Sequence, residues 1–68
     1  MAIWAVKLRP VTGGRWRLIT SGGGTTDVRV CAHRFETERD AKDFAAKARA
    51  VNPGWLYLPI PFTAHLGN

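Results

Sequence analysis

The sequence predicts an α+β fold: an antiparallel sheet of three to four strands with one helix packed on one face, in the order β-β-β-α, with a short edge strand after the helix as the optional fourth. Three observations carry that expectation. The stretches Trp4–Arg9, Arg15–Ile19 and Asp27–His33 alternate apolar with polar residues, as a strand does when its successive side chains point to opposite faces. From Thr37 to Val51 the period changes, and Ala41, Phe44, Ala45, Ala48 and Val51 recur at helical spacing. Glycine and proline clusters at Pro10–Gly14, Gly22–Gly24 and Pro53–Gly54 separate these segments.

The 68 residues make a single small domain, residues 1–68, close to the size below which a chain hides too little surface to fold alone. A 46 % hydrophobic content with three tryptophans offsets the short length, because one large aromatic removes roughly 150–250 Å² from water.

The first strand is expected over Ile3–Arg9. Pro10 closes it, since proline cannot donate to a ladder. Thr12-Gly13-Gly14 is a turn in which glycine accepts positive φ, and a second strand follows over Arg15–Thr20. Ser21–Thr26 reads as a mobile hairpin loop. It is not a phosphate loop, because no Gly-Lys-Ser/Thr follows and no helix begins there. The third strand is expected from Asp27 to His33 or Phe35. Thr37 is the expected helix N-cap, with Asp40 three positions on and Glu38 beside it at the positive end of the helix dipole. Glu38–Lys42, Arg39–Asp43 and Asp43–Lys47 are spaced to pair on the wet side, and Asn52-Pro53-Gly54 stops the helix. Trp55–Leu58 suits a fourth strand that Pro59 and Pro61 confine to an edge; the aromatic tail through Phe62 reads otherwise as a seal on the core or as a recognition peptide. Thr63–Asn68 is read as a frayed end.

Little here points to catalysis, and the protein is read as a non-enzyme. His33 and His65 lie far apart, and Ser21 sits in a glycine-rich loop rather than on a nucleophile elbow. Cys31 and His33 share a strand face, but nothing in the sequence orients the imidazole, so the thiol is read as inert. One cysteine and two histidines fall short of a closed zinc site; no metal and no cofactor is expected. A lone cysteine excludes a disulfide scaffold, and no leader or membrane-length apolar run is evident, so a cytoplasmic protein is expected with no membrane partner.

Charge is the remaining signal. The chain carries +5, with ten basic residues against five acidic. Residues 1–37 hold six bases and two acids, whereas Glu38–Arg49 holds four bases and three acids, so the excess lies in the strand half. If the three strands pair in order, Lys7, Arg9, Arg15, Arg17 and Arg29 fall on one face and Trp4, Val6, Leu8, Trp16 and Leu18 on the other. Trp4 and Trp16 are then core rather than stacking platforms, which speaks for duplex DNA over a single strand. Ile3, Ala5, Ile19 and Cys31 are expected on the basic face, where they suit thymine methyls or a protein interface.

Gly14-Arg15-Trp16 at the opening of strand two and Phe35-Glu36-Thr37-Glu38-Arg39-Asp40-Ala41 at the strand-to-helix junction resemble the arm-type DNA-binding domain of phage tyrosine recombinases, over residues 3–51. That family inserts its sheet into the major groove. The resemblance implies that Arg15, Arg17 and Arg29 contact bases or phosphates, in a binding module rather than a recombinase.

The expected function is therefore a small stand-alone basic DNA-binding protein of phage or mobile-element type, acting through Lys7, Arg9, Arg15, Arg17 and Arg29. The alternative is a phage-type inhibitor or adaptor, anti-defence or anti-CRISPR-like, that binds a nucleic-acid-handling protein complex. A homodimer joined through Ile3, Ile19 and the apolar tail is a third reading.

Overall fold

Ile3–Pro10, here β1, is a central strand of the sheet in the computed structural model, which describes residues 3–62. Arg17–Ile19 (β2), Thr25–Thr26 (β3) and Trp55–Phe62 (β4) complete a four-stranded antiparallel sheet in the order β3-β2-β1-β4. The one α-helix among the described residues, α1, spans Glu38–Val51 and packs across β1 and β4. The α+β fold and the helix packed on the sheet are as the alternation and the helical period predict.

The fourth strand is longer than expected. All eight residues of β4 pair with β1, from Ile3 opposite Phe62 to Pro10 opposite Trp55. It lies at the edge, as Pro59 and Pro61 require. The two prolines have the same parity, so the even-numbered residues of β4 are left to donate toward β1 and the missing amides fall on the outer side.

The third strand is a correction. Only Thr25 and Thr26 pair as a strand, and Arg29–Cys31 form a 3₁₀ turn instead of continuing. The chain then re-enters the sheet as a wedge. Ala32 bridges Thr20, the His33 amide donates to the Ile19 carbonyl (2.9 Å), and Phe35 exchanges both backbone bonds with Trp4 (2.7 and 2.8 Å). Thr26 lies on the outer side of β2 and Ala32 on its inner side, so residues 27–31 cross β2. Val28 and Val30, expected as core, are 53 % and 67 % exposed.

Register decides what each face carries. Lys7 pairs with Leu18 and Leu8 with Arg17, so β2 presents its side chains the opposite way from the expected arrangement. A one-residue difference in pairing turns a whole strand over. Ile19, expected outside, is 6 % exposed beneath the helix, where it joins Val6, Leu8, Phe35, Ala41, Ala45 and Tyr57. Trp4, Phe44 and Ala48 pack against that cluster. Trp16 and Leu18 move to the other face, so only one of the two strand tryptophans is core on the helix side. The opposite face has its own smaller cluster of Ala5, Ala32 and Phe62, edged by Ile3, Leu18 and Ile60.

Local chemistry fixes the joints. Gly13 (φ 119°) and Gly14 (φ 109°) take the left-handed conformations of the first turn, which a side chain would strain. The Ser21–Gly24 run is a hairpin turn closed by the Thr20 amide on the Gly24 carbonyl (2.9 Å) and by the Gly24 amide on Thr20 Oγ1 (3.0 Å). Thr37 caps α1, its hydroxyl accepting from the Asp40 amide at 3.1 Å. The buried Ala41 and Ala45 let the helix backbone approach the sheet closely. Val51, the last of the expected stripe, is 76 % exposed, at the rim of an open groove that Ile19, Phe44 and Tyr57 also line. Of the three expected helix pairs, Glu38–Lys42 closes, at 3.2 Å, among the described residues.

Candidate nucleic-acid interface

The face of the sheet away from α1 carries Lys7 and Arg9 from β1, beside Leu58 and Leu56 of β4 in the paired register. Continuing the β1–β2 register sets Arg9 opposite Trp16 and Lys7 diagonal to it. The contacts follow: Lys7 Nζ stands 4.4 Å from a Trp16 ring centroid and the Arg9 guanidinium 5.0 Å from it. Each such contact contributes about 0.5–1 kcal/mol at an exposed site, enough to lay both side chains on the indole. Arg9 Nη1 also donates to the Pro10 carbonyl at 3.0 Å.

Arg15 and Arg17 are held elsewhere. Both donate to Asp27 Oδ2, Arg17 through Nη1 at 3.0 Å, and Arg17 Nε donates to Thr25 Oγ1 at 2.8 Å. Arg17 and Asp27 face each other across the β2–β3 pair, on the parity of Leu8 and Ile19, where the helix does not reach. Arg29, on the 3₁₀ turn, makes no ion pair or side-chain hydrogen bond with any described residue. The five basic residues read from the sequence thus form three groups rather than one stripe: Lys7 and Arg9 on Trp16, Arg15 and Arg17 on Asp27, and Arg29 alone on the crossing segment.

These groups meet around one groove of about 330 Å³. Trp16, Leu18, Ile60 and Phe62 give its apolar surface and Lys7 and Arg29 its positive charge; Thr26, Asp27 and Arg17, whose guanidinium is held by Asp27, close the remaining side. Two of its members escape the sequence reading. Alternation alone assigns Trp16 to the core. Asp27 is the sole acid before Glu36, in the middle of the basic half, and that isolation was the available signal for its pairing with arginine.

The small apolar groups expected on this surface are largely covered. Ala5 is fully buried beneath Ala32 and Phe62, and Ile19 belongs to the helix-side core, which removes it from any dimer surface. Cys31 is exposed. Among the described residues no cluster of three His, Cys, Asp or Glu side chains could hold a metal ion, and no helix is long and apolar enough to cross a membrane.

Comparison with known proteins gives no match: no family model, no curated protein and no solved structure aligns with this chain.

Proposed function

We propose that the protein binds nucleic acid through the open face of its sheet, with Lys7, Arg9 and Arg29 as the principal phosphate contacts. The observation that carries this reading is the groove itself, in which Lys7 and Arg29 border an indole and an aliphatic floor, with Arg9 lying over the same indole. The +5 charge draws a polyanion toward that half of the molecule, and the resemblance to arm-type DNA-binding domains points the same way. Arg15 and Arg17 are secondary contacts, because Asp27 already neutralises part of their charge.

Neutralising about three phosphates makes log affinity fall with log salt at a slope of about −2 to −3. Fluorescence anisotropy on labelled oligonucleotides between about 50 and 200 mM salt measures it, and the Lys7→Ala/Arg9→Ala variant should flatten the slope by about 1 to 2. A slope near zero, or a variant that binds as the parent does, overturns the reading.

A protein partner is the second reading, and Val28 and Val30 favour it, since both stand exposed on the segment that crosses β2 beside the groove. A partner recovered from nuclease-treated lysate by the parent protein, and lost with Val28→Ser/Val30→Ser, would put the adaptor or inhibitor function first.

A further inference from the structure

The sequence alone favours a duplex, since it places the arginines outward on a sheet face and both strand tryptophans in the core. The structure changes both premises: Trp16 leaves the core, and the basic side chains of the strands are engaged within the molecule. A sheet reads a major groove by projecting side chains from adjacent strands, so that a guanidinium fork can reach the guanine edge. Here Lys7 and Arg9 lie along Trp16, Arg9 is further tied to the Pro10 carbonyl, and Arg15 and Arg17 are tied to Asp27. Residues 27–31 also cross β2 and bring Arg29 to the groove, so the face is concave where a major groove about 12 Å wide needs a ridge.

What a concave, cation-rimmed, partly aromatic slot suits is an unpaired base. Every base has a π-face that packs on an indole or an aliphatic floor whatever its identity, while its phosphates need positive charge within a few ångströms of the slot. Trp16, Leu18 and Ile60 supply the floor, and Lys7 and Arg29 the charge. The volume, about 330 Å³, lies at the lower end of the roughly 300–1,000 Å³ typical of sites that hold a small organic group.

We infer that the ligand of this face is single-stranded nucleic acid, one base of which enters the groove over Leu18 and Ile60 and takes the place of Lys7 on the Trp16 ring, so that Lys7 swings outward and, with Arg29, holds the flanking phosphates. The inference rests on the nucleic-acid reading above and names the form of the strand. Recognition by stacking carries little base preference, so oligothymidylate is a sufficient probe.

The deciding experiment compares labelled oligothymidylate, a mixed-sequence single strand and a duplex of equal length, at one low salt concentration. The proteins are the parent, Trp16→Leu, Ile60→Glu and, on the exposed side of the helix, Arg39→Ala, each checked for its fold by circular dichroism. Both single strands are expected to bind at least about tenfold tighter than the duplex. Trp16→Leu should lose about tenfold or more of that affinity, and Arg39→Ala should lose none. Ile60→Glu puts a negative charge in the slot and should abolish the preference, which keeps the test decisive if Trp16→Leu does not fold. Duplex binding equal to or tighter than the single strands overturns the inference and leaves the nucleic-acid reading standing. So does single-strand binding indifferent to the groove variants. Failure to bind any of the three probes overturns both.

Discussion

The two faces of the sheet are built from similar residues and do different things. On the face toward α1, Val6, Leu8, Ile19 and Tyr57 meet Ala41 and Ala45, and every member of that cluster is buried. On the open face, Leu18 and Ile60 are only half-buried, and Trp16 is covered by lysine and arginine rather than by another element. The difference is one of partner: a helix with small residues at its contact line closes one face, while the other has only a short crossing segment. Burial is therefore concentrated on one side of the sheet, and accessible charge and apolar surface on the other.

The same truncation on the two faces tests that division. Leu8→Ala should cost about 2–4 kcal/mol, since Leu8 is 4 % exposed and its loss leaves a cavity beneath the helix. Leu18→Ala, two residues along the neighbouring strand from Trp16, should cost about 1 kcal/mol or less. Urea unfolding midpoints measure both, and equal costs would erase the distinction. Thr37→Ala removes the helix cap and should cost about 1 kcal/mol while leaving oligonucleotide affinity unchanged under conditions where the variant is folded. Asp27→Asn should do the reverse. Its ion pairs are exposed, so thermal stability should move by no more than about 0.5 kcal/mol. The released Arg15 and Arg17 should raise nucleic-acid affinity several-fold and steepen the salt slope by about 1 to 2.

Legibility in the sequence follows the same division. In β1 the parity is unambiguous, because Trp4, Val6 and Leu8 are apolar and Lys7 and Arg9 are not, and the structure places them accordingly. In β2 it is not. Trp16 and Leu18 hold one parity and Ile19 the other, so alternation supports both orientations and pairing chooses between them. Arg17 is tolerated on the helix-side parity because the helix does not reach it and it stays partly exposed, and Asp27 stands opposite it, both long-range facts invisible to a local pattern. Val28, Val30 and Ala32 alternate as a strand should, yet only Ala32 finds a sheet to join. The cap at Thr37 and the edge position of Pro59 and Pro61 were readable because each depends on one residue's own chemistry. The groove was not, since it exists only once β2 has turned over and the crossing segment has been laid across it.

The prolines of β4 have a consequence for copies of this protein bound close together. A basic protein that collects along a polyanion reaches local concentrations far above those in bulk, and there an open row of strand amides and carbonyls becomes a template on which neighbours fuse into continuous β-structure. At one margin of this sheet two amides are missing from alternate positions; at the other the strand is two residues long. Among the described residues neither margin offers a run of donors long enough to recruit another chain. Copies of this protein brought close together therefore find, among the described residues, no long open strand edge through which to fuse.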